Sequence, residues 1–126
     1  VGTWNLTGTE TFAQCTDSSY DHSQADTRAI TWAAGGPGLM GAGTLCNFDD
    51  TVSGNTASLA SGSPSCTETF SNTGEVDQVT FESFTWVLSA DGTTAQVSET
   101  AIDSATFADG STTSCVVTVI DTASRQ

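Results

Sequence analysis

The chain has 126 residues, enough for one domain with a real core and too few for two. Its 15 Asp and Glu stand against two Arg and no Lys, a net charge of -13, so nothing is present to hold a phosphate backbone or run lysine chemistry. One His excludes a multi-histidine metal site, and apolar runs such as Trp86-Val87-Leu88 are too short to span a bilayer.

Read along the chain, short runs of Thr, Val, Phe and Trp alternate with clusters of Gly, Asp, Asn and Ser, the pattern of an all-β domain. The first strand is expected over residues 3–14, with Trp4, Leu6, Gly8, Glu10 and Phe12 on one face and mostly Thr on the other. A polar loop over 16–26 leads to a strand at 27–34 that carries Arg28, Ile30 and Trp32 on one face. Gly35-Gly36-Pro37-Gly38 reads as a turn, because Gly permits positive φ and Pro fixes its own φ. A third strand is expected over 39–53, with Ser53-Gly54-Asn55 as its hairpin turn. A fourth covers 56–60, an irregular link runs through Ser61-Gly62-Ser63-Pro64, and a fifth covers 66–72. Over 76–90 the alternation slips, with Val79 and Phe81 on one parity and Phe84, Trp86 and Leu88 on the other. One extra residue near Glu82-Ser83, a β-bulge, accounts for the slip. Asp91-Gly92 turns into a strand at 93–107, and Asp109-Gly110 turns into the last at 111–123. The reading is one domain over residues 1–126, an antiparallel up-and-down barrel of about eight strands, since closure removes the exposed edges of such a meander.

Closure makes a checkable demand on register. Pairing the first strand with the last so that Cys15 bonds Cys115 also sets Trp4 against Arg125, to within one residue. That register lays a guanidinium over an indole, a cation–π contact worth about 0.5–2 kcal/mol. Cys46 and Cys66 fit a hairpin around Gly54-Asn55 if a bulge absorbs a small offset. Four cysteines without CxxC spacing read as two disulfides, Cys15–Cys115 and Cys46–Cys66, each contributing about 2–4 kcal/mol. Disulfides place the chain outside the cell or on its surface. With no initiator Met, basic segment or apolar segment at its start, it reads as a mature form freed of its signal. Asn5-Leu6-Thr7 is a glycosylation sequon.

Gly2-Thr3-Trp4 with Arg125 resembles the Gly-x-Trp…Arg signature of the calycin superfamily, which includes lipocalins, fatty-acid-binding proteins and avidins. The resemblance covers the chain ends and the strand count. It implies a barrel and structural roles for Trp4 and Arg125, and it implies no ligand. The chain is shorter than lipocalins, lacks an evident C-terminal helix, and lacks the avidin pattern of biotin-contacting tryptophans. A looser likeness is to Thr/Ser-rich bacterial secreted or lipoprotein domains.

Parity puts Glu10 with Trp4 and Leu6, Glu68 with Cys66 and Phe70, and Glu99 with Val97 and Ala101. If those faces point inward, three carboxylates and Arg28 line one interior, able to bind a ligand or titrate at raised pKa. A bulge that flips the parity puts them in water instead. Glu10, Glu68, Glu82 and Glu99 are also the candidates for paired-carboxylate glycoside hydrolysis, a signal that any acidic chain satisfies. Asp21-His22-Ser23 contains triad residue types, but three neighbours in one loop cannot assemble a triad, and no Gly-x-Ser-x-Gly elbow occurs. Asp17 and Asp21 begin an oxygen-rich loop that fails the Ca²⁺ pattern at His22 and Arg28; Asp49-Asp50 is a second weak cation candidate. Trp32, Trp86 and Phe84 either wall a small-molecule cavity or simply fill the core.

The expected function is a non-enzymatic extracellular module without a cofactor, binding or assembling through Thr-rich outer faces with protein or polysaccharide partners, self-assembly included. The alternative is a lipocalin-like carrier of a small apolar ligand, for which Arg28, Trp32, Glu10, Glu68, Glu99 and Trp86 are the candidate contacts.

Overall fold

A computed structural model describes residues 2–33, 36–41, 44–47, 50–60, 62 and 64–126, with the backbone alone over 33–47. Among the described residues ten strands follow one another: β1 (Gly2–Ala13), β2 (His22–Ala33), β3 (Gly36–Gly41), β4 (Thr44–Asn47), β5 (Asp50–Ser53), β6 (Thr56–Leu59), β7 (Ser65–Phe70), β8 (Glu75–Leu88), β9 (Thr94–Thr106) and β10 (Thr112–Arg125). A single 3-10 turn, Ser18–Tyr20, lies between β1 and β2. Every ladder is antiparallel. Ten replaces eight because the expected third strand is divided into β3, β4 and β5. Gly36-Pro37-Gly38, expected in a turn, belongs to β3. β2 begins at His22, inside the expected loop, because it pairs with β1 from Phe12↔His22 onward. No helix among the described residues is long and apolar enough to cross a membrane.

The register between the chain's two ends is the expected one. Trp4 stands opposite Arg125, the ladder runs without a break to Ala13↔Val116, and Cys15 bonds Cys115 just past its end. The predicted bulge is present, as the β8–β9 register shifts between Phe81 and Ser83. It rotates Phe84 and Trp86 onto the face that Phe81 already occupies, and all three are buried. The turns at Gly54, Gly92 and Gly110 each place their glycine at positive φ.

The barrel is not formed. Across the sheet the order is β4-β3-β2-β1-β10-β9-β8-β6-β5, with β7 also on β8, and among the described residues no ladder joins the two ends. The cause lies on β8, whose outer edge is shared between β7, along residues 75–80, and β6, along 85–87. Two short strands occupy the edge that one full-length strand needs to carry the meander around. β4 lies against β7 without a hydrogen-bonded ladder. The side chain of Cys46 lies outside the described residues, and the expected Cys46–Cys66 bond with it; no described cysteine is free.

The core sits on one face of this sheet. Trp4 and Leu6 of β1, Ile30 of β2, Ala57 of β6, Phe81, Phe84 and Trp86 of β8, Ala95, Val97 and Ala101 of β9, and Ala123 of β10 pack together there. Strict alternation on β9 and β10 sends every second residue to that inner face.

Candidate functional site

Going along the strands, the inner face changes character in three tiers. The first is aromatic. Near one end of the sheet β1, β2 and β8 each contribute one Trp, and these three are all the tryptophans of the chain. Trp86 is the hub, edge-to-face with Trp4 at 5.2 Å and with Trp32 at 5.3 Å between ring centroids. Between them opens a cavity of ≈ 220 Å³, walled by Trp4, Trp32, Trp86, Leu88, Ala57 and Val52. The last two belong to the β5–β6 hairpin, whose tip is fixed to β8 through one residue. The Asn55 side-chain amide donates to the Leu88 carbonyl at 2.9 Å, and the Leu88 N–H donates to the Asn55 carbonyl at 2.8 Å. Trp32 Nε1 is buried without a hydrogen-bond partner. Phe84 is fully buried among core side chains rather than in this wall.

The second tier is ionic and is built around a glycine. Gly8 of β1 stands between Asp26 of β2 and Asp121 of β10 in the two flanking registers. With no side chain on Gly8, the Asp121 carboxyl group lies in the space that a Cβ there would fill, and Asp26 flanks the same gap from the other strand. Arg28 reaches into this group, its Nη2 lying 2.9 Å from Glu99 Oε2 and 3.4 Å from Asp121 Oδ2. Arg28 Nε is 2.9 Å from Asp26 Oδ2, but the angle is too poor for a hydrogen bond, so this contact is an ion pair alone. One cation thus serves two buried carboxyl groups, Glu99 and Asp121, and the partly exposed Asp26. Burial, then the neighbouring Asp26 carboxyl group, pushes Asp121 up to about 7. Burial also raises Glu99, against the opposing pull of Arg28.

The third tier is acidic. Asp77 and Glu68 face each other across β7 and β8, Glu75 is two residues from Asp77, and Asp103 lies alongside on β9. Glu75 and Asp103 are the carboxyl groups that act most directly on Asp77. Glu10 of β1 faces the same cluster, held by Gln24 Nε2 at 2.7 Å, and its charge raises Glu68 after burial does. Burial is the first cause at each of the others. It pushes Asp77 and Asp103 up to about 6, against an opposing contact with Glu75 and with Asp77 respectively and with the charges of further carboxylates adding to it. It pushes Glu75 up to about 7, with Asp77 adding to it.

A pH dependence follows from these shifts. Folded carboxyl groups that titrate near 6 to 7 keep protons that the unfolded chain, titrating near 4, has released. Stability therefore falls as pH rises between about 4 and about 7. Asp91, held down to about 2 by Ser89 and Thr93, acts oppositely and only below about pH 4. The melting temperature is expected to be about 5 °C or more higher near pH 4.5 than near pH 7.5. A flat profile from thermal melts over this range contradicts the protonated tier.

The structure sorts the sequence candidates cleanly. Trp32 and Trp86 share the cavity; Arg28 and Glu99 are paired in the ionic tier; Glu10 and Glu68 belong to the acidic one. Glu82, at the bulge, is exposed. Trp4, expected to be purely structural, also lines the cavity. Asp26, Asp121, Asp77, Asp103 and Glu75 were not singled out by the sequence. Asp17 accepts from the Ser19 N–H and hydroxyl, and Asp21 accepts from the Cys15 N–H, so each serves local backbone rather than a shared cation. Asp49 lies outside the described residues, Asp50 opens β5, and no group of three or more possible metal ligands occurs among the described residues. Compared with known families, curated proteins and solved structures, the chain matches none, and nothing identifies it as a calycin.

Proposed function

We propose that this chain is an exported, non-enzymatic binding module that takes a small, neutral, apolar ligand between its three tryptophans. The observation that carries this reading is the ≈ 220 Å³ cavity walled by all three. A cavity of about 150 Å³ accommodates benzene, so this one suits a single substituted ring or a short acyl segment. Its described lining holds no titratable side chain, which favours binding over catalysis. The unpartnered Trp32 N–H supplies one donor in an otherwise apolar wall, matched to a ligand with one acceptor oxygen. The position of Arg125 opposite Trp4 supports the calycin-like reading of the chain ends, and the Cys15–Cys115 bond supports an extracellular setting.

Titration with acetophenone, a neutral single ring bearing one acceptor oxygen, tests the site. Saturable quenching of tryptophan emission is expected. Trp32→Ala is expected to weaken binding about tenfold, the loss of one aromatic wall, with a normal melt. No saturable signal from the probe or from smaller neutral aromatics rules the reading out.

A further inference from the structure

The outer face of the four central strands, β2-β1-β10-β9, carries no charged residue. Its outward positions are Ser23, Ala25, Thr27, Ala29 and Thr31 on β2, and Thr3, Asn5, Thr7, Thr9 and Thr11 on β1. On β10 they run from Thr112 through Val116, Thr118, Ile120 and Thr122 to Ser124, and on β9 from Thr94 through Thr100 and Ile102 to Thr106. In a chain of net charge -13 this segregation inverts the usual arrangement, in which an exposed face holds the charges.

The face also has the anatomy of an interface. Val116 stands opposite Ile102 in register, and Ile120, opposite Thr9, is 56% exposed. These apolar residues are surrounded by hydroxyls that bond sideways to one another: Thr11 to Ser23 at 3.0 Å, Ser104 to Ser114 at 3.2 Å, and Thr3 to Thr31 at 3.3 Å. Hydroxyl groups satisfied within the sheet lose less on leaving water, and the Thr methyl groups remain to pack. Four strands of about 12 residues, at about 4.8 Å spacing and 3.3 Å rise, span about 750 Å², close to the 800 Å² or so that each partner buries in a stable complex.

We propose that this face pairs with the same face of a second copy of the chain, sheet on sheet about a two-fold axis. The charge distribution selects the occupant. Two copies repel each other through the acidic turns, and the central outer face lets them meet without placing carboxylates opposite carboxylates. A polysaccharide surface is the weaker fit, since no aromatic side chain stands on this face to stack on sugar rings.

Sedimentation equilibrium of the full chain tests the pairing. A dimer is expected, tightening as salt rises from 0.05 to 0.5 M because the remote like charges are screened. Ile120→Glu is expected to weaken dimerisation about tenfold or more. Thr9→Glu, on the adjacent strand, is expected to do the same, and Val52→Glu, on the β5–β6 hairpin, to leave it unchanged. Melts confirm that each variant is folded. A monomer at 0.5 M salt and high concentration overturns the proposal. So does a dimer that dissolves with Val52→Glu and survives both face variants, or a monomer that sediments with an insoluble polysaccharide.

Discussion

Replacing Arg28 by Met is expected to cost about 3–5 kcal/mol of stability near pH 7.5, and much less near pH 4.5. Methionine keeps most of the apolar stem, so the loss isolates the charge. Without the guanidinium, the buried Glu99 and Asp121 remain beside the partly exposed Asp26 and lose the cation that all three contact. Glu99 and Asp121, already raised by burial, then titrate higher still in the folded chain, while in the unfolded chain they titrate near their ordinary values. The penalty is therefore fully developed above the raised folded pKa and fades as pH falls toward the unfolded one. Urea unfolding at the two pH values measures it. An equal loss at both means that Arg28 acts through packing and not through its charge.

Gly8→Ala is expected to be as damaging, at about 3 kcal/mol or more, for a steric reason. A Cβ on Gly8 would collide with the Ile120 carbonyl oxygen and the Asp121 carboxylate and lie 2.7 Å from Asp121 Cα. Two of these obstacles are backbone, in the middle of the β1–β10 ladder, so relief requires parting the strands. Gly54→Ala is the comparison. A Cβ there meets nothing within 4 Å, and only the positive φ of the turn resists it, at about 1 kcal/mol. Near-wild-type melting of Gly8→Ala contradicts the close crossing over that residue.

Much of this architecture is legible in the residues. The parity slip around Glu82-Ser83 reports the bulge because Phe81 and Phe84 both need burial. The coincidence of Trp4–Arg125 with Cys15–Cys115 reports the β1–β10 register because an antiparallel ladder admits a single offset. Arg28 with Glu99 is readable as the interior cation beside an interior carboxylate. The start of β2 is not, because residues 21–25 are all exposed and show no alternation. Nor is the failure to close. Whether a meander curls into a barrel is decided at β8, where β6 and β7 divide one edge, and no local pattern records which strands share a partner. The Asp26–Asp121 pair escaped notice for a related reason. The two aspartates are far apart in sequence and are neighbours only across the strand that carries Gly8. The same non-locality hides the acidic tier, whose members come from β1, β7, β8 and β9.

The place of β10 bears on how the molecule is made. The final strand of this sequence fills the middle of the sheet, between β1 and β9. A chain cut before Thr112 holds two half-sheets whose facing edges are both unpaired, and an unpaired edge invites pairing with another chain. The cysteine that ties down β1, 100 residues away at position 115, is missing from such a fragment as well. Native pairing thus waits on contacts between residues about 100 positions apart, the condition for slow folding and for exposure to aggregation along the way. In this sheet the strand at the centre follows all the others in sequence.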